Sequence, residues 1–217
     1  MKKPLSYEGL YYLLKAEQGE VGHWPAESPW EIMLGAFLVQ NTTWHNTQVS
    51  LAKIGQATKF DPFLISELTA EELFPLIYSS GFHKNKTQLI MTWFQWLRAY
   101  DFDRGNILAD YPSKDELRQQ LLSFHGIGNE TADVLLLYVF DQVAFIADNY
   151  ARKLFGGLGS PLAKNYLTLK HHVEGNTTLS LLEWKDYHGQ ILEYGKNYLK
   201  GKGPHETSLF SDYYLDE

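Results

Sequence analysis

LLSFHGIGNETADVLLLYVFDQVAFIAD, Leu121 to Asp148, is the stretch whose reading decides the fold. It closes a helix that begins after Ser113, where Ser as N-cap and Glu116 three residues on give capping-box spacing. Phe124-His125-Gly126-Ile127-Gly128 then breaks the pattern, and Asn129 to Phe140 is helical again. Glycine accepts left-handed backbone angles and lets another backbone approach closely. The amides of Gly126, Gly128 and Asn129 therefore sit at a helix start, where unpaired N–H groups and the helix dipole attract a phosphate. Taken alone, the hairpin is equally a plain helix–helix turn closed by glycine. The residues after it narrow the choice: the apolar run ends in Ile146-Ala147-Asp148, a carboxylate just past a buried segment and just before a helix.

Outward from this stretch the periodicity is helical almost throughout. Tyr7–Glu17, a helix from Ser28-Pro29 toward Gln40, Trp44–Ile54, Thr69–Tyr78 and Lys84–Tyr100 precede it. Asn149–Leu158, Leu162–Val173 and Thr178–Leu199 come after it. Ser28 with Pro29 and Glu31, and Thr69 with Glu72, mark two of the starts. Only Val143 to Ala147 has strand-like composition; with no partner strand evident, it is expected to be a buried extended connector. The fold class is all-α, with about ten helices. The tail after Gly201 is polar and turn-rich, with aromatics suited to packing back onto the body.

With 44% hydrophobic and 21% charged residues, the 217-residue chain has an ordinary globular composition. Cysteine is absent, which removes disulfides, thiolate-held clusters and thiol nucleophiles together. No apolar run approaches the ~20 residues of a membrane helix, and the N-terminus lacks a secretory pattern, so no membrane association is expected and the cytoplasm is the default. The net charge of −7 argues against a broad nucleic-acid surface. Phosphate binding depends on local potential, so a DNA partner would have to be held by backbone amides and a few placed cations. The histidines show no ligand-like spacing, and metal catalysis is not expected.

The segment Leu121 to Asp148 resembles the helix-hairpin-helix and adjoining loop-and-Asp motif of the endonuclease III superfamily of base-excision DNA glycosylases. Three further stretches match in order: MLGAFLVQNTTW (Met33–Trp44), SSGFHKNK (Ser79–Lys86) and YHGQILEYGKNYL (Tyr187–Leu199). The resemblance implies two helical lobes with the active site in the cleft between them. Residues 23–139 would form a six-helix-barrel-like lobe holding the hairpin, and residues 1–22 plus 140–217 the second.

Three departures place the chain within that superfamily. Members that also cut the strand carry a Schiff-base Lys where this chain has Glu130, and an acid cannot be an amine nucleophile. The family spacing of iron–sulfur cysteines projects onto Glu206, Leu209 and Leu215. His125 stands where Pro is usual. With His23-Trp24-Pro25, Trp44 and His188-Gly189, these features resemble the cysteine-free bacterial 3-methyladenine DNA glycosylases.

The resemblance and the chemistry together give a set of expected roles. Asp148 is the catalytic carboxylate, stabilising the oxocarbenium-like sugar and orienting water, with helix capping as its alternative or additional task. Gln40 fills the gap left by the flipped base, unless it only caps a helix end. Trp44 and Trp24 stack on a cationic alkylated purine, unless they are core residues. Gly126, Gly128, Asn129, Thr131, Lys84, Lys86 and Arg152 contact the DNA backbone. Relatives imply a monovalent cation, K+ or Na+, at the carbonyls of Leu122, Phe124 and Ile127, and no other cofactor. The implied protein is a monomeric, nucleoid-associated bacterial glycosylase that takes alkylated purines from double-stranded DNA without strand cleavage. A uracil or mismatched-pyrimidine glycosylase, or a non-catalytic damage-binding module, are the competing readings.

Overall fold

The computed structural model describes residues 2–21, 24, 26–199 and 210–216. Its regular structure is almost entirely helical, and the chain divides into two compact units. Residues 26–140 make one; residues 1–25 with 141–217 make the other.

The central unit holds α2 (Pro29–Leu38), α3 (Trp44–Thr58), α4 (Pro62–Glu67), α5 (Ala70–Ile77), α6 (His83–Arg98), α7 (Arg104–Asp110), α8 (Lys114–Leu122) and α9 (Asn129–Tyr138). Local chemistry sets the starts. Ser28 accepts from the Glu31 N–H with Pro29 in the first turn, and Thr69–Glu72 and Ser113–Glu116 form reciprocal capping boxes. The core gathers around Trp93, fully buried, with Phe37 edge-on at 5.4 Å and Phe124 at 5.1 Å. Phe124 thereby anchors the turn after α8 in that core. Every residue of α9 from Thr131 to Tyr138 is buried, consistent with its unbroken apolar run. The short helices α4 and α7, capped by Asp61 and Asp103, were not expected from the periodicity; six and seven residues are too few for it to register.

The other unit holds β1 (Lys3–Leu5), α1 (Tyr7–Gln18), α10 (Asn149–Gly157), α11 (Tyr166–Gly175), α12 (Leu181–Tyr198) and β2 (Tyr213–Leu215). Strands β1 and β2 pair in parallel, Lys3 opposite Tyr213 and Leu5 opposite Leu215, and the Leu215 N–H reaches the Leu158 carbonyl at 3.1 Å. This pair was not foreseen, because three-residue strands at opposite ends of a chain leave no alternation to read. The tail does pack back: Phe210 is buried with its ring edge-on to Tyr194 at 5.1 Å. Leu215, one of the projected cluster positions, is a buried strand residue, while Glu206 and Leu209 lie outside the described residues.

The expected single helix Leu162–Val173 is instead a 3-10 turn, Pro161–Lys164, and then α11, whose cap Asn165 accepts from the Thr168 N–H. Helix α12 starts later than expected, behind a Ser180–Glu183 capping box. One glycine in α12 is sterically required. A Cβ on Gly195 would stand 2.3 Å from Cγ of Tyr150, so that ring presses the first turn of α10 directly onto the α12 backbone. No described helix is long and apolar enough to cross a membrane.

Candidate functional site

The hairpin between α8 and α9 is built by three devices. Gly126 has φ +97°, a left-handed conformation that glycine adopts without strain. The Ile127 N–H closes the turn on the Phe124 carbonyl at 3.1 Å. Arg118 then ties α8 to α9, its guanidinium spanning both carboxylate oxygens of Asp133 at 2.8 and 3.1 Å and reaching Asn129 Oδ1 at 2.9 Å. Asp133 is 0% exposed, so this fork is its charge partner in the interior. Gly128 makes no use of the left-handed freedom that glycine offers. Its backbone is extended, φ −97°, and a Cβ there would meet nothing within 4 Å. It caps α9 with no side-chain hydrogen bond, at the helix end where an anion is favoured. His125 and Glu130 lie to either side of it, His125 exposed and Glu130 in the first turn of α9.

Gln40, just past the end of α2, is fastened to this hairpin. Its Nε2 donates to the Gly126 carbonyl and to Thr131 Oγ1, each at 3.0 Å. A carbonyl can only accept, so the amide orientation is fixed by its partner. Thr131 itself is buried, and its hydroxyl accepts the bond from Gln40.

The expected backbone-contacting cations separate into three cases. Lys84 is on the first turn of α6, at the surface. Arg152 is half-buried on α10, and its Nε is buried without a hydrogen-bond partner. Lys86 corrects the expectation: it is 3% exposed, and its ammonium donates to the carbonyls of Leu38 at 2.8 Å and Ser80 at 2.7 Å. Two positions past Lys84, a helix has turned from solvent to core, and the ammonium goes with it. Burial alone holds its pKa down, to about 8.

In the other unit, Asp148 is 6% exposed and caps α10, its Oδ1 accepting from the Ala151 N–H at 2.7 Å. The connector leading to it has no regular structure and no partner strand among the described residues. It is pinned by side chains: the Phe145 N–H donates to Glu174 Oε1 at 2.8 Å, and Glu174 pairs with Lys170, itself 1% exposed. Lys185 holds Asp141 at the connector's start at 2.6 Å. Burial, with Lys196 adding to it, pulls His188 down to about 3, which leaves its ring neutral near pH 7.

Trp44 begins α3, Trp24 lies in the other unit, and neither is fully buried. His23 and Pro25, the neighbours of Trp24 in the motif, lie outside the described residues. The sequence alone did not single out Arg118, Asp133, Lys170 or Glu174. A signal existed for one of them, since Asp133 is a lone acid inside TADVLLLYVF and must find a cation if that helix is buried. Among the described residues no cluster of three or more His, Asp or Glu could hold a metal ion.

No family model matches the chain. Over 206 residues it is 31% identical to a protein of Methanocaldococcus jannaschii whose assigned name is DNA repair glycosylase, spanning 92% of this chain and 93% of that one. It superposes on H. pylori 3-methyladenine DNA glycosylase bound to 1,N6-ethenoadenine with a TM-score of 0.69, at 26% identity over 89% of this chain and 98% of that one. An endonuclease III trapped as a covalent intermediate with DNA shares the fold, with a TM-score of 0.74, 19% identity and coverage of 96% and 95%. The fold, the hairpin and these relatives define a DNA-binding base-excision enzyme. The chain belongs to the endonuclease III superfamily of helix-hairpin-helix DNA glycosylases. Within it the chain resembles the H. pylori 3-methyladenine enzyme, and having no cysteine it has no thiolates to hold an iron–sulfur cluster.

Proposed function

We propose that the enzyme is a monofunctional, monomeric glycosylase that hydrolyses the N-glycosidic bond of alkylated purines of the 3-methyladenine type in double-stranded DNA and leaves the strand intact. The observation that carries this reading is Asp148, a nearly buried carboxylate fixed at the start of α10 by its cap and by the pinned connector.

The damaged nucleotide is flipped out of the stack, and Gln40 occupies the space it leaves. With its amide nitrogen held on the hairpin, Gln40 offers its carbonyl oxygen to the orphaned base. A cationic base takes the electron pair of the breaking bond and departs neutral, so no strong acid is required. The positive charge that develops on the sugar is stabilised by the Asp148 carboxylate, which also orients the water that adds to C1′ and accepts its proton. Trp44 and Trp24 supply electron-rich faces for the charged ring. The open amides of Gly128 and Asn129, with Lys84 and Arg152, hold phosphates. The carbonyls of Leu122, Phe124 and Ile127 are neutral oxygen donors of the kind that suit K+ or Na+, which when bound would place positive charge between hairpin and phosphate. Glu130 has no amine to form a Schiff base, which supports base removal without lyase activity. The H. pylori relative, named for 3-methyladenine, supports the substrate class.

Duplexes carrying 3-methyladenine, uracil or a G·T mismatch test the proposal directly. Release of 3-methyladenine is expected, falling about 10³-fold in Asp148→Asn with duplex binding kept. Release of uracil or thymine alone would sink the substrate class. No release by either form on any lesion would leave a damage-binding module. A borohydride-trapped adduct would overturn the monofunctional assignment.

A further inference from the structure

Lys86 presents a physical problem. Its ammonium is buried in the central unit and bonded to two main-chain carbonyls, and burial holds its pKa down. Removing a charge from water is costly without a counter-ion, and a methionine at this position would fill the space without that cost. The chain retains the charge, so what the ammonium holds matters more than the space it fills.

It holds two chain turns. The Leu38 carbonyl is the last of α2, one of the terminal carbonyls that a helix leaves without an internal partner, and a cation there is favoured by the helix dipole. Gln40 stands two residues later. The Ser80 carbonyl is the last of the 3-10 turn Tyr78–Ser80. Two residues beyond it is Phe82, 63% exposed and left-handed at φ 47°, after Gly81 at φ 66°. A non-glycine residue in that region is strained and persists only where its surroundings hold it. One buried cation thus ties the end of α2 to the strained turn before α6.

We propose that Lys86 is a positioning residue: its ammonium locks the α2 end and the Gly81–Phe82 turn into one rigid piece, fixing where Gln40 stands when the protein meets damaged DNA. This rests on the reading of Gln40 as the residue that fills the emptied stack. Three constraints then converge on Gln40: Lys86 through Leu38, and its own bonds to Gly126 and Thr131. Apolar packing at position 86 would keep the fold but release the first of these. The two carbonyls also explain why this charge sits inside while Lys84, two residues away, stays at the surface.

The test uses the full-length protein and a duplex containing a tetrahydrofuran abasic-site analogue, with an undamaged duplex of the same sequence as reference. Neither depends on which base the enzyme removes. Wild type, Lys86→Met, Gln40→Ala and the double variant are compared for the ratio of the two affinities, with circular dichroism and Tm as the check on folding. Lys86→Met is expected to fold and to lose about tenfold in discrimination, mostly by weaker binding to the abasic duplex. The double variant should be no worse than Gln40→Ala, because the two residues act along one route. Lys86→Gln, whose amide can still donate to a carbonyl, should recover part of the loss, and it carries the comparison if the methionine variant does not fold. Discrimination at the wild-type level in a folded Lys86→Met protein would overturn the proposal. So would a double variant that loses the product of the two single effects. Failure of wild type to distinguish the duplexes, or an inert Gln40→Ala, would instead remove the gap-filling role itself, and the route through Gln40 with it.

Discussion

Helices α9 and α10 are of similar length, each comes after irregular backbone, and they begin in opposite ways. At α9 the capping residue is Gly128, which contributes no side-chain hydrogen bond to the first turn. At α10 the capping residue is Asp148, which satisfies its own helix through Ala151. An open start suits an anion that arrives with a ligand. A closed start suits a carboxylate that must be in place before the ligand arrives. The supports divide in the same way. The hairpin before α9 is held from the side, by Arg118 and Gln40, so that its tip stays clear. The connector before α10 is held along its length, by Glu174 and Lys185, so that its last residue cannot wander.

The strongest way to break this arrangement is to remove the support of the open helix. Arg118→Ala leaves Asp133 buried without its fork and should cost about 3–5 kcal/mol in chemical denaturation. Replacing both partners, Arg118→Met with Asp133→Leu, should restore most of that stability but not the hold on Asn129, so duplex binding should stay weak. Stability near wild type for Arg118→Ala would show that the pair is not needed to order the hairpin.

The closed side should be the more sensitive to acid. His188, on α12 in the same unit as α10, has a folded pKa of about 3 against 6.5 for the ordinary side chain. The unfolded chain therefore binds a proton that the folded one refuses, and stability present above pH 6.5 is lost as pH falls toward 3. At pH 5 the loss amounts to about 2 kcal/mol. In His188→Asn the slope of stability against pH between 6.5 and 4 should flatten; an unchanged slope would remove His188 as its source.

Giving α9 a cap of its own makes the two starts alike. The backbone of Gly128 is already in the extended form that an N-cap requires, and open space surrounds it. Gly128→Asp should leave the unfolding free energy at or slightly above wild type, by about a few tenths of a kcal/mol, while duplex affinity falls about tenfold. Binding that survives this change would place the phosphate elsewhere. The smallest effect belongs to Glu130, whose acid in the first turn of α9 favours the helix but opposes a phosphate. Glu130→Gln should tighten duplex binding by about two- to threefold at low salt, with the gain vanishing as salt rises.

Much of the helical frame was legible because its signals are local. Ser28 with Glu31, Thr69 with Glu72 and Ser113 with Glu116 lie within one turn of each other, and each cap is formed. What escaped was either too short or too distant: α4 and α7, the pairing of β1 with β2, and the ties from Arg118 to Asp133 and from Lys170 and Glu174 to the connector. The placement of Lys86 escaped for a different reason. A lysine two residues from a solvated lysine reads as surface, and only the three-dimensional position of two carbonyls turns it inward. For the candidate site the helix cap made by Asp148 was readable from its setting, whereas the attachment of Gln40 to the hairpin depends on contacts between segments far apart in the chain.

The parallel pairing of Lys3–Leu5 with Tyr213–Leu215 sets an order of events at the ribosome. Residues 26–140 are contiguous and can finish folding while the remainder is still being made. The unit that contains Asp148 needs strands from both ends, so its N-terminal segment must wait for residues 213–215 to emerge. During synthesis the nascent chain can therefore complete the hairpin between α8 and α9 before the unit carrying Asp148 has closed.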